Sequence, residues 1–317
     1  LLPSLEEKLV VAKSTPSDSD SIDRAGAAQA MSEIMAAKGT SYAGQELQEK
    51  ISKWINDESG SLEKEAALLI LGYLPGAFAF YDRLEALYTE TVLGKLLTAI
   101  LNLTADQTEA VRESASKTAK TVFDLLVGAG IDRSGLFERL LMGFGSIKWR
   151  VRLTCLTMME RALASHHQES ENEAGEDESG GAIKITRLPT AEELLESGVL
   201  DKVGIQTLQT RLYLARFDPS NSQLRSIALN IWKALSYHSP RTLTDILPLL
   251  VTECAISGPM AEEQVQRALE DLFTKLGDRL ALPFLESSWI LLQDESSSIS
   301  KPSIIDNLIT MVRVIAT

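Results

Sequence analysis

Residues 221–254 read NSQLRSIALNIWKALSYHSPRTLTDILPLLVTEC, and their spacing decides the fold. Leu224, Ile227, Ala228, Ile231, Trp232 and Leu235 recur at three- and four-residue intervals, the apolar stripe of an amphipathic helix. Tyr237–Arg241 breaks the pattern. Leu243, Ile246, Leu247, Leu250, Val251 and Cys254 then repeat it. Ser239 suits the N-cap of this second helix, and Pro240 its first position, where a missing N–H costs nothing. Two amphipathic helices joined by so short a link form an antiparallel hairpin. Neither stripe is covered by its partner alone, so the hairpin needs neighbours.

The rest of the 317 residues supplies them. Helical patterns are expected over Leu1–Lys13, Ile22–Lys38, Gln45–Ile55, Leu62–Leu74, Leu84–Leu103, Thr108–Val127, Ser134–Phe144, Lys148–Ala164 and Thr190–Phe217, and no useful length alternates as a strand does. A polar residue followed three positions later by a small or apolar one recurs at Arg24, Lys64, Arg112, Arg152, Arg225 and Gln266, at spacings of 40, 48, 40, 73 and 41. A further step of 40 reaches Asp306. A two-helix unit of about 40 residues is the mark of a HEAT or armadillo array. The expected fold is therefore an all-α superhelical solenoid of antiparallel hairpins. About six hairpins form one array over 1–317. The segments LLPSL, ILPLL and ALPFL share a Leu-Pro-x-Leu core, and Pro248, inside its helix, is expected to bend it.

The spacing of 73 contains an insertion of about 33 residues. Its core, HHQESENEAGEDESGG, lacks aliphatic residues, so 166–189 is expected to be a disordered acidic loop. Thr190, Glu192 and Glu193 then suit a helix start.

Composition bounds the function. Net charge is −13, and six of the 44 acids lie in Glu169–Glu178, which leaves a mildly acidic body with no polybasic block. That weighs against a general nucleic-acid grip, though a local basic face is still able to meet RNA. The two cysteines, Cys155 and Cys254, fall on apolar stripes and read as buried thiols in a reducing compartment. The longest uncharged run, Ala66–Tyr81, is broken by Gly72, Pro75 and Gly76 and is too short to span a bilayer, so it reads as a buried helix followed by a turn. Glu6, Glu7 and Lys8 interrupt Leu1–Lys13, so no signal peptide is expected there, and the start without Met reads as an excised piece of a longer protein.

Phosphate-loop, H-E-x-x-H, nucleophile-elbow and kinase motifs are absent, so neither catalysis nor a cofactor is expected. Gly143-Phe144-Gly145-Ser146 reads as a turn between helices. His166–His167 lack a fixed third ligand and read as solvated loop. His238 lies at the hairpin turn, near a helix C-terminus. The anchors Arg112, Arg152 and Arg225 have two readings. One is a ladder that bonds carboxylates and carbonyls between repeats. The other is a row of charges facing a partner. Trp149-Arg150-Val151-Arg152 and Trp232-Lys233 pair aromatics with cations, a pairing that serves either core or contact.

Several blocks resemble one family. Asp23-Arg24-Ala25-Gly26-Ala27-Ala28-Gln29, with Ser32-Glu33-Ile34-Met35, is similar to its R-x-G-A-A-Q…E-[IV]-[LM] helix. Trp149-Arg150-Val151-Arg152 is similar to its W-R-[IV]-R. Ala228–Lys233, Ser239–Leu243 and Asp245–Pro248 resemble its A-L-x-V-W-K…T-P-R-T-L-x-E-I-L-P, with Ser239 for Thr and Asp245 for Glu. Lys275-Leu276-Gly277 and Leu282-Pro283 fit its later K-L-G…L-P. The family is the giant HEAT-repeat translational activator of general amino acid control. The resemblance implies a cytoplasmic, non-enzymatic scaffold that binds stalled ribosomes. With an ABC-type ATPase, it promotes activation of the kinase acting on the alpha subunit of translation initiation factor two. Arg150, Arg152 and Arg241 are the expected partner contacts. Arg24, Trp149, Trp232, Lys233, Pro240 and Pro248 are expected to be structural. Neither membrane nor small-molecule substrate is expected. The alternatives are a generic HEAT adaptor, or the HEAT arm of an ATPase like elongation factor three.

Overall fold

The computed structural model describes the chain except residues 1, 11–17, 39–41, 57, 84–92, 129–132, 174–187, 237–239, 257–261, 295–299 and 317. Side chains are also left undescribed at 18–19, 42–44, 93–95, 133, 165–173, 236 and 278. Among the described residues every regular element is an α-helix. In order they are α1 (Leu2–Val10), α2 (Asp18–Lys38), α3 (Tyr42–Trp54), α4 (Ser61–Phe80), α5 (Leu93–Leu103), α6 (Glu109–Gly128) and α7 (Arg133–Phe144). They continue as α8 (Trp149–Glu173), α9 (Ala191–Glu196), α10 (Lys202–Ala215), α11 (Ser222–Ser236), α12 (Pro240–Ile256), α13 (Glu262–Gln293) and α14 (Lys301–Ala316). The helices form two compact units, Leu1–Arg139 and Leu140–Thr317, each made of HEAT/armadillo-type hairpins.

In the first unit the second helices of successive hairpins, α2, α4 and α6, stack on one another, with α1 and α3 packed against α2 and α4, and α5 against α6. Buried hydroxyls stitch the stack. Ser32 Oγ donates to the Ile70 carbonyl of α4 at 2.8 Å, and Thr118 Oγ1 of α6 donates to the Leu68 carbonyl at 3.0 Å. α4 runs to Phe80, six residues past its expected end at Leu74, with Pro75 inside it. An interior proline costs a helix about 3 kcal/mol. Leu71, Leu74 and Phe78 are completely buried, at about 1.5–3 kcal/mol each, which outweighs that loss.

In the second unit α8 stacks on α11, α10 on both α11 and α12, and α12 on α13 and α14. All twelve stripe residues of 221–254 are buried, none more than 9% exposed. Trp232 lies at the centre, its ring 5.3 Å from that of Tyr213, and the Arg216 guanidinium covers Tyr213, Phe217 and Trp232 at 5.2–5.5 Å. The Tyr213 hydroxyl donates toward the Ala268 carbonyl and Asp271 Oδ2, and burial pushes this phenol's pKa upward. Gly143 lets α7 approach α8, because a Cβ there would lie 2.3 Å from Cys155 Sγ.

Two further expectations change. α8 continues through Glu173, so the first residues of the expected loop are helical; 174–187 lie outside the described residues. Thr190–Phe217 is two helices rather than one. Thr190 caps α9 in a reciprocal capping box with Glu193, Gly198 (φ 70°) turns the chain, and Asp201 Oδ1 accepts from the Gly204 N–H to start α10. Val203, in the first turn of α10, is 62% exposed. Separately, α13 combines two helices across Leu276 (φ −136°, ψ 19°), at the Lys275-Leu276-Gly277 block.

Candidate functional site

Three of the recurring anchors, Arg112, Arg152 and Arg225, lie in the first turn of their helices and reach back over the preceding turn. Arg112 Nη1 donates to the Asp106 and Gln107 carbonyls at 2.9 and 2.8 Å. Arg152 Nη1 does the same to Ser146 and Ile147 at 2.7 and 3.0 Å, and Arg225 Nη1 to Asp218 at 2.8 Å. The turns are themselves closed by short side chains: Asp106 accepts from the Thr108 N–H, Asp218 from Ser220, and Ser146 from Lys148.

The same cations join neighbouring hairpins. Lys64 Nζ pairs with Asp106 Oδ2 at 2.9 Å, both side chains about nine-tenths buried. Arg152 Nη2 and Nε meet Asp218 Oδ2 at 2.7 and 2.9 Å, with the carboxylate fully buried. Arg24 Nη2 reaches Glu65 Oε2 at 3.3 Å. The rung from Arg152 crosses 66 residues of sequence and so closes over the insertion. Burial alone would raise the Asp106 pKa, but the Thr108 N–H and the Lys64 ammonium outweigh it and hold the carboxyl below its usual value.

Arg152, one of the expected partner contacts, has its guanidinium turned into the fold. Its three nitrogens are engaged within the fold, because a buried carboxylate needs a donor there. Val151, in the same W-R-V-R block, is 1% exposed, whereas Arg150 lies on the surface, its guanidinium 4.6 Å over the half-buried Trp149 ring. The Arg241 side chain is 89% exposed, with its Nε 3.9 Å from Asp245 Oδ2. Trp232 is core. Lys233, Pro240 and Pro248 are exposed, and α12 passes through Pro248 without interruption. His238 and Ser239 lie outside the described residues, as do the His166 and His167 side chains.

The second unit holds a groove of about 230 Å³ that reaches Arg152, Arg211, Glu253 and Gln264. Its polar heads bond one another or the backbone: Arg211 to Glu253 and the Leu141 carbonyl, Gln264 to the Leu214 carbonyl. The two thiols are buried, and burial pushes that of Cys155 up to about 12, so neither is a ready nucleophile. Among the described residues no group of three His, Cys, Asp or Glu side chains could hold a metal, and no helix is long and apolar enough to cross a membrane. Sequence reasoning missed Asp106 and Asp218, although an acid six or seven residues before Arg112 and Arg225 was a readable signal.

No family model matches the chain. It is 26% identical over 304 residues to the human stalled ribosome sensor GCN1, covering 90% of this chain. It is 28% identical over 284 residues to the eIF-2-alpha kinase activator GCN1 of Dictyostelium discoideum, covering 85%. The Saccharomyces cerevisiae protein of the same name is 25% identical over 285 residues, 86% of this chain. These proteins are homologues of the chain, and it spans about a tenth of their length. Among solved structures, a designed armadillo repeat protein bound to a peptide aligns over 99% of both chains at 14% identity and a TM-score of 0.28, too loosely to bear on the argument.

Proposed function

We propose that this chain is a segment of a GCN1-type translational activator, a cytoplasmic scaffold without catalytic activity of its own. The similarity along 83–90% of the chain to relatives so named carries the reading. The hairpins supply rigid, repeated surface, and their polar interior groups are used in holding the stack. In this reading the hairpins form one continuous array that keeps the parent protein on stalled ribosomes. There, with an ABC-type ATPase, the parent promotes activation of the eIF-2-alpha kinase in amino-acid starvation.

Arg150 and Arg241 are the contacts offered to the ribosome, since both heads reach solvent from helix starts. Arg150→Glu with Arg241→Glu in the full-length parent is expected to reduce co-sedimentation with polysomes in starved cells and to lower eIF-2-alpha phosphorylation, with helicity unchanged. Full polysome association of that variant rejects the two contacts. A parent that never co-sediments with polysomes rejects the reading and leaves a generic adaptor.

A further inference from the structure

Polar side chains buried in this fold are bonded where they lie. Ser32, Thr118 and Gln209 donate to backbone carbonyls, and Lys64 and Asp218 are ion-paired. Asn307 departs from that rule. It is 8% exposed, and its amide has no hydrogen-bond partner among the described residues. Its place in α14 sharpens the contrast. Ile304, Asn307 and Met311 are the buried residues of that helix, at i, i+3 and i+7, so an amide sits at the middle of the inward stripe. Leucine there would continue the stripe and bury more apolar area. An unpaired amide at the same place carries a desolvation cost that nothing offsets. The packing of α14 therefore gains nothing from it.

The side chain lines a groove of about 640 Å³ bounded by the end of α12, the start of α13 and α14. Glu262, Asp306 and Arg313 line it too, all exposed and without an ion-pair partner among the described residues. A primary amide presents a donor and an acceptor side by side. A backbone peptide unit and the edge of an adenine both match it. Two carboxylates on the walls repel phosphate, which disfavours nucleic acid. A helical partner has spent its own N–H and C=O groups internally, so only an extended segment has them to give. The volume falls in the roughly 300–1,000 Å³ of small-ligand sites, enough for a few residues. The carboxylates of Glu262 and Asp306 call for a cation between them. Arg313 lies two turns further along α14, about 10 Å away, and suits an acid further along the same segment.

We propose that this groove binds a short extended segment of a partner protein that carries a lysine or arginine, with the Asn307 amide bonding one peptide unit of its backbone. The inference goes beyond ribosome attachment and does not depend on it.

A random ten-residue peptide library displayed on phage, selected on the 317-residue chain, tests it, with binding of the enriched peptides then measured by fluorescence anisotropy. The enriched peptides are expected to carry Lys or Arg. Asn307→Leu should weaken them at least tenfold, as should Glu262→Lys combined with Asp306→Lys, and as should N-methylation of one central amide of the peptide. Asn307→Leu should at the same time raise the thermal midpoint by about 2–4 °C, which separates lost binding from lost folding. A selection that enriches nothing overturns the proposal, as do peptides that bind Asn307→Leu as tightly as the unsubstituted chain. A fall in the thermal midpoint of Asn307→Leu also overturns it, because the amide would then serve the fold. Displacement of the peptides by a ten-residue oligouridylate would turn the groove into an RNA site and reject the peptide.

Discussion

The hairpins anchored at Arg152 and Arg225 and those anchored at Gln266 and Asp306 keep the same period by different means. In the first pair a guanidinium ties down its own turn, and Arg152 also grips the Asp218 carboxylate of the next hairpin. In the second pair Gln266 Nε2 donates to Glu270 within its own helix, on the surface, and Asp306 has no donor to offer. Yet Val265, Leu269 and Leu272 are as buried as their counterparts in α11. The apolar stripe alone thus builds and spaces a hairpin. The charged rung is a second constraint, fixing neighbours in register where it is present.

Breaking the strong rung gives the largest expected effect. Asp218→Ala strands a mostly buried guanidinium and should cost about 3–5 kcal/mol in urea unfolding. A loss below about 1 kcal/mol would erase the contrast between the two pairs. Gly143→Ala comes next. Its Cβ would meet Cys155 Sγ at 2.3 Å, so overpacking of about 1–3 kcal/mol is expected, much of it relieved by adding Cys155→Ala. Failure of that rescue would place the strain elsewhere in α7.

The first unit's rung is read by pH. The folded-state pKa of Asp106 lies below its unfolded value, so its contribution is complete above about pH 4 and is lost as pH falls through the folded value. Asp106→Asn should flatten the acid limb of the thermal midpoint against pH, and an unchanged limb would show that the Lys64 pair carries no such linkage. The smallest effect belongs to Arg241→Glu, which should alter stability by no more than about 0.5 kcal/mol, since its side chain is 89% exposed and its ion pair is long. A larger loss on urea unfolding would make Arg241 part of the frame.

Local periodicity was legible because it is local. The stripe from Leu224 to Cys254 is buried residue by residue as read, and Trp232 is core. The breaks were not legible. Proline and glycine at 75 and 76 looked like an end, but the burial of Phe78 beyond them is a tertiary gain no sequence window contains. The stop at Gly198 and restart at Asp201 lie in a stretch where Leu194, Leu195, Val199 and Leu200 alternate with polar residues at near-helical spacing. For the contacts, Arg150 and Arg152 are two residues apart and alike in type. Only the approach of Asp218, brought in from 66 residues away, separates the one that is held from the one that is presented.

The rung between Arg152 and Asp218 has a consequence for the covalent chain. It joins the two sides of the insertion directly, so their register does not rest on the chain between them alone. The entropy of closing a tether grows only with the logarithm of its length, about 0.6 kcal/mol per doubling. The insertion should therefore accept added domains, or a protease cut within 174–187, and the two pieces would remain docked as complementary fragments. At this point the fold is written in a salt bridge rather than in the peptide bonds that pass beside it.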